Sequence, residues 1–182
     1  MYEVAGTIDI DNCAIKTEDS DKQVTATFET SGQTSVSNIF IISPVSIGLG
    51  TNSSLKTSNW TKTSITISNV NVSFKDIESR DRKPILNVYG ACSNIVSGIK
   101  SVDDVPGYPL IALTNGKDYS VTDLTRQILK VSPYTYTVGL IGVQSLKMSN
   151  FKCLAPSEYD SNGMFFKIYE PPVKSEYSLT TF

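Results

Sequence analysis

Carboxylates are the side chains of this sequence best suited to chemistry, because its 182 residues include no histidine. Without imidazole there is no Ser-His-Asp or Cys-His relay and no histidine metal site. A glycosidase would need two carboxylates facing each other across a cleft, one with a raised pKa. Seven carboxylates qualify by type, but nothing in their surroundings distinguishes any pair: Asp76, Glu78, Asp81, Asp103, Asp104, Glu158 and Asp160. The sequence therefore predicts that the protein is not an enzyme and has no catalytic residue.

The acidic segment 9–21 is the one region that invites comparison with a cation site. Asp9 and Asp11 lie two residues apart, so both project from one face of a strand. A second acidic group follows at residues 18–21. Calcium requires six to eight converging oxygens, as a rough rule, and no EF-hand-like loop is present. We interpret the segment as a solvent-exposed strand face followed by a polar loop, and we predict no metal and no cofactor. Whether the segment binds a cation stays open.

Charge and cysteine content indicate the environment of the protein. Sixteen Lys and Arg residues are balanced by 18 Asp and Glu residues, so the chain lacks the basic surface that nucleic acid or an anionic membrane would attract. Cys13, Cys92 and Cys153 are far apart and form no metal-binding spacing. We expect buried thiols in a reducing cytoplasm, and the first residues lack the pattern of a signal peptide.

Alternation of apolar and polar residues dominates the sequence and predicts β-strands. Val24, Ala26 and Phe28 share one parity, for example, and the residues between them are polar. In the segment 63–74 the apolar parity shifts by one residue around Ser68-Asn69. A strand with one buried face absorbs such a shift only by a bulge or kink, so we predict one there.

One segment has helical spacing instead. Val121, Leu124, Ile128 and Val131 are separated by three, four and three positions, which places them on one stripe of a helix. Ser120 is a suitable N-cap, and a proline follows the segment. We therefore predict a short helix at about residues 121–131.

About ten short strands and one helix predict an all-β protein, most simply a two-sheet antiparallel sandwich of the jelly-roll or Greek-key type. Asn115-Gly116 is typical of a hairpin turn. No internal repeat is apparent, and residues 48–63 are interpreted as a long loop that contains Trp60. Residues 1–170 form the predicted domain and residues 171–182 a C-terminal arm. The arm could add a strand to a neighbour, form the last strand of its own sheet, or be disordered.

Aromatic residues are the candidates for an interface. Two consecutive phenylalanines in a strand face opposite sides, so one of Phe165 and Phe166 leaves a two-layer core unless another segment covers it. Large aromatic side chains are favoured at protein interfaces. The candidate interface residues are Tyr134, Tyr136, Phe165, Phe166, Tyr177 and Phe182.

The whole profile is similar to that of virion building blocks such as minor capsid, cement or tail proteins of DNA viruses and phages. It combines β-structure, 42 Ser and Thr residues, no histidine and no catalytic constellation. The resemblance implies a structural subunit of a virion, oligomeric and bound to other protein subunits rather than to nucleic acid or membrane. The alternative is a carbohydrate- or ligand-binding module that uses Trp60, Tyr134 and Tyr136 as stacking platforms.

Overall fold

The computed structural model of the chain describes residues 6–16, 24–42, 45–50, 63–74, 83–103, 109–129, 136–154, 164–169 and 176–180. All regular elements within these ranges are β-strands. They are β1 (Thr7–Ile15), β2 (Val24–Glu29), β3 (Gln33–Ile41), β4 (Val45–Gly50), β5 (Ser64–Phe74), β6 (Leu86–Tyr89), β7 (Ser93–Asp103), β8 (Ile111–Thr114), β9 (Asp118–Ile128), β10 (Tyr136–Ile141), β11 (Ser145–Leu154), β12 (Met164–Tyr169) and β13 (Glu176–Thr180).

The chain alternates between two parallel sheets. The odd-numbered strands form a seven-stranded sheet in the order β1-β3-β5-β7-β9-β11-β13, which we call sheet I. The even-numbered strands form a six-stranded sheet, sheet II, in the order β12-β10-β8-β6-β4-β2. Each strand pairs in parallel with the strand one full turn earlier or later. The protein is therefore a β-solenoid, in which every turn adds one strand to each sheet.

The prediction of an antiparallel sandwich of the jelly-roll or Greek-key type is wrong, although the all-β class is right. Period-2 alternation identifies a strand with one buried face, but it does not identify the neighbour of that strand or its direction. Asn115 does adopt a turn conformation, with a φ of 50°. The turn joins β8 of sheet II to β9 of sheet I, so it turns a corner of the solenoid and closes no hairpin.

Sheet I contains a repeated backbone feature, so the prediction that the sequence has no internal repeat is wrong. Six strands have a residue with positive φ at the same register position, and these residues form a column along the sheet: Asn12, Asn38, Asn69, Gly98, Asp123 and Asn150. Asparagine, aspartate and glycine are the residues that tolerate this conformation. We call this set the amide column, because four of its six residues are asparagines. In most of these strands a serine or threonine precedes the column residue and an apolar residue follows it, so the sequence does contain a repeat.

The amide column explains the phase shift at Ser68-Asn69, and the predicted kink is confirmed. Asn69 has a φ of 53°. Ser68 pairs with Ser97 and Val70 with Ile99, which leaves the column residue between them outside the ladder. Ile67 and Val70 are consequently both buried although they lie three positions apart.

The same feature explains why the predicted helix at residues 121–131 is wrong. Residues 118–128 form strand β9, and Asp123 has a φ of 55°. The kink brings Val121 and Leu124 onto the same inward face, with a spacing of three that imitates a helix. The predicted loop at residues 48–63 is wrong at its start, because residues 45–50 form β4.

The core lies between the sheets and consists of inward columns of aliphatic side chains. One column runs through Ile39, Val70, Ile99 and Leu124, all fully buried, on adjacent strands of sheet I. Such columns bury apolar surface at every turn, so the fold grows by repetition along one axis. The predicted burial of the thiols holds only partly, since Cys13 and Cys92 are half-buried and Cys153 is exposed. Among the described residues no helix is long and apolar enough to cross a membrane.

Candidate assembly site at the first turn

Strand β1 has a partner on one side only within the described part of the chain, where it pairs with β3. In successive turns of sheet I, outward-facing residues donate their backbone N–H to the preceding turn, as Ser93 does to the Thr63 carbonyl at 3.3 Å. By the same geometry, the outward residues Asp9, Asp11 and Ala14 direct their backbone groups away from β3. The edge of β1 therefore presents backbone donors and acceptors that no described strand uses.

The inward residues of β1 are less buried than their equivalents in the next turn. Ile10, Cys13 and Ile15 pack against the core but remain half-buried. Ile39 and Ile41, which lie beside Cys13 and Ile15 on β3, are 0% exposed. In a solenoid each turn covers the inward column of its neighbour, and no described strand covers the inward column of β1 from its second side.

Two exposed apolar side chains lie one strand in from this edge. Phe40 is 54% exposed and Ile42 is 52% exposed, near the end of β3. Phe40 pairs with Ala14, so the patch reaches the outermost described strand. Exposed apolar groups close to a strand edge that no described strand pairs are typical of an interaction surface.

A network of side-chain hydrogen bonds links Asp11 of β1 to Asn38 and Asn69 of the amide column. Ser37 Oγ donates a hydrogen bond to Asp11 Oδ1 at 2.6 Å, and Asn38 Nδ2 donates to the same oxygen at 2.8 Å. Asn69 Nδ2 donates in turn to Asn38 Oδ1 at 2.6 Å. These bonds to the ionised carboxylate hold the pKa of Asp11 below its ordinary value, with the Ser37 bond the largest cause and the Asn38 bond the second.

The lowered pKa of Asp11 predicts acid sensitivity of the first turn. The folded-state pKa lies below the ordinary value of 3.8, so the contribution of the carboxylate to stability is complete above pH 3.8. That contribution disappears as the pH falls through the lower folded-state value. Asp11→Asn should be less stable than the wild type at neutral pH and equally stable in strong acid, in denaturant unfolding over a pH series. A difference between the two proteins that is constant with pH would contradict this assignment.

The structure does not bring the predicted interface aromatics together in one described site. Tyr134 and Phe182 lie outside the described residues. Phe165 lies in β12, Phe166 of the same strand pairs with Val138, and Tyr177 of β13 pairs with Leu146. Residues 176–180 of the predicted arm thus form a strand of the chain's own sheet I. The domain boundary at residue 170 stays a prediction.

Tyr136 is the one predicted aromatic whose side-chain surroundings are described. Its ring lies over Gly139, because a Cβ on that glycine would come 2.8 Å from Tyr136 Cε2. The Tyr136 carbonyl accepts a hydrogen bond of 3.0 Å from Nη1 of the buried Arg126. Trp60 and Tyr134, the other proposed stacking platforms, lie outside the described residues, so the carbohydrate-binding alternative stays a prediction.

Carboxylates form no metal-binding group within the described ranges. Asp9 and Asp11 are both exposed on the outer face of sheet I, as the alternation predicted. The absence of enzymatic activity and of cofactors stays a prediction. Phe40 and Ile42 were missed, and the signal that could have found them is their shared parity with the outward residues of a strand.

Comparisons with known proteins extend none of these observations: no family model, no curated protein and no solved structure matches the chain.

Proposed function

We propose that this protein is a structural subunit that works by protein–protein contact, and that the first turn of the solenoid is the contact site for another copy. The observation that carries the proposal is the half-buried inward column Ile10, Cys13 and Ile15 beneath an edge whose backbone groups no described strand uses. A further strand on this edge would satisfy those groups and cover the column together.

Assembly through an edge suits a solenoid, because edge-to-edge strand pairing already joins its own turns. A copy docked there would add a strand to β1 on the side away from β3. The kind of assembly that the sequence profile suggests, a virion in which the protein contacts other protein subunits, stays a prediction. So do the cytoplasmic site of assembly and the absence of nucleic-acid and membrane partners.

Ala14→Pro tests the proposal with little disturbance of the monomer. The Ala14 N–H faces away from β3, since the neighbouring Ile15 carbonyl accepts from the Ile42 N–H at 3.1 Å and directions alternate along a strand. Proline is tolerated on a free strand edge but cannot donate a hydrogen bond to an added strand. We expect the wild type to self-associate and Ala14→Pro to weaken association about tenfold, roughly 1.4 kcal/mol, in sedimentation velocity over a concentration series.

Ala14→Thr is the matched control, because it also changes the side chain but keeps the N–H. It should associate like the wild type, and circular dichroism should show all three proteins equally folded. A wild type that is monomeric at every concentration, or an Ala14→Pro variant that associates normally, would contradict the proposed function.

A further inference from the structure

The edge of β1 is self-complementary, and we infer that two copies pair antiparallel through it to form a closed twofold dimer. This inference rests on the proposed function and specifies its geometry. A twofold contact uses the same surface on both partners, so a single strand must be able to face its own copy. The evidence is the pattern of outward and inward residues along β1.

The kink at Asn12 makes this pattern nearly symmetric. Before Asn12, with its φ of 56°, the outward residues are Asp9 and Asp11, and after it they are Ala14 and Lys16. When a second β1 runs in the opposite direction with its kink beside the first kink, the outward residues of one strand therefore lie opposite the outward residues of the other. A regular strand would accept many registers, but the shift at the kink restricts the pairing to those that align the kinks.

Charge selects one register among these. When Asp11 of one copy lies opposite Ala14 of the other, Asp9 lies opposite Lys16, and the twofold axis produces this pair twice. Asp9 and Lys16 are both exposed in the single chain, and opposite charges directly across an antiparallel pair are stabilising. In the same register Ile10 faces Ile15 of the other copy, so two half-buried inward residues cover each other.

The backbone is consistent with the same register. The outward residues of β1 are those whose N–H and C=O groups face the free edge, so Asp11 opposite Ala14 forms a hydrogen-bonded pair of an antiparallel ladder. A head-to-tail contact with β13 is the competing geometry. If it repeated the registers within the chain, it would set Thr180 beside Asp11 and Ser178 beside Asp9. That arrangement gives Asp9 no cationic partner and leads to an open filament.

A charge-exchange experiment on the full chain separates these geometries. Lys16→Glu sets two carboxylates opposite each other twice in the dimer, and Asp9→Lys does the same with two ammonium groups. Each single variant should raise the dimer dissociation constant about tenfold at low ionic strength, because the interaction in two exposed charge pairs changes from attraction to repulsion. The double variant Asp9→Lys/Lys16→Glu has the wild-type net charge and should dimerise within about threefold of the wild type. Sedimentation equilibrium measures all four proteins, and raised salt should reduce the differences between them.

The possible results are distinct. A closed dimer with rescue in the double variant supports the twofold geometry. Association that Ala14→Pro blocks but the charge exchange does not rescue, or an open-ended series of oligomers, overturns the twofold dimer and leaves the proposed function intact. A wild type that never self-associates would contradict both the twofold dimer and the proposed function.

Discussion

Asn69→Val is expected to destabilise the protein by about 3 kcal/mol although the side chain is exposed. Asn69 has a φ of 53°, a conformation that asparagine tolerates and a β-branched residue resists. The substitution also removes the hydrogen bond that Asn69 Nδ2 donates to Asn38 Oδ1 at 2.6 Å. If valine instead adopted a regular strand conformation, the inward parity of Ile67 or Val70 would reverse. Both routes are costly, so the free energy of unfolding in denaturant should fall sharply.

Two control substitutions separate the backbone cost from the lost hydrogen bond. Asn69→Gly keeps the positive φ and removes only the amide, so it should cost about 1 kcal/mol. Asn71→Val lies two residues along the same strand, outside the amide column, and should cost less than about 0.5 kcal/mol. The role assigned to the amide column would be wrong if Asn69→Val cost no more than Asn71→Val.

The amide column also shows how far the sequence could predict the fold. Alternation located strands such as β2 and β5, because burial of one face is a local property with a local pattern. The parity shift at Ser68-Asn69 was interpretable for the same reason. At Asp123 the same shift imitates helical spacing, since three-residue spacing arises from a kinked strand as well as from a helix.

The partner and direction of each strand could not be predicted from a single strand. Strand β3 pairs with β1 and β5, while β2 and β4, which lie next to it in sequence, belong to the other sheet. The pairing depends on corner turns such as that at Asn115, which resemble hairpin turns in sequence. Comparing residues one turn apart would have revealed the amide column, but the spacing varies: Asn38 is 26 residues after Asn12 and Asn69 is 31 residues after Asn38.

The candidate site was predictable only in part, for the same reason. The exposure of Asp9 and Asp11 followed from alternation. That β1 lies at the end of the described sheet depends on the whole order of strands, and so does the half-burial of Ile10 and Ile15. Aromatic content pointed instead to residues such as Phe166, whose strand β12 is at the opposite end of sheet II from β2.

Gly50→Ala should be the most disruptive single methyl addition on sheet II. Glu29, Gly50 and Tyr89 occupy one register position on adjacent strands. The Tyr89 ring lies over Gly50, where a side chain would otherwise stand. The Tyr89 hydroxyl donates a hydrogen bond to Glu29 Oε1 at 2.6 Å. A Cβ on Gly50 would overlap Cε2 of the Tyr89 ring, so the ring would have to move away. Lost aromatic packing and a lost charge-assisted hydrogen bond predict a cost of about 3 kcal/mol in thermal or denaturant unfolding.

Gly48→Ala is the matched control on the same strand, where the nearest atoms to a new Cβ are Thr27 Oγ1 at 3.3 Å and Tyr89 Cε1 at 3.6 Å. Rotation of the threonine relieves the closer contact, so Gly48→Ala should change stability by less than about 1 kcal/mol. In a Tyr89→Ala background the ring is absent, and Gly50→Ala should then cost less than about 0.5 kcal/mol because alanine suits a strand better than glycine. This double-mutant cycle isolates the clash between a Cβ at position 50 and the Tyr89 ring. Equal costs of Gly50→Ala in both backgrounds would show that the Tyr89 ring is not the reason for glycine at this position.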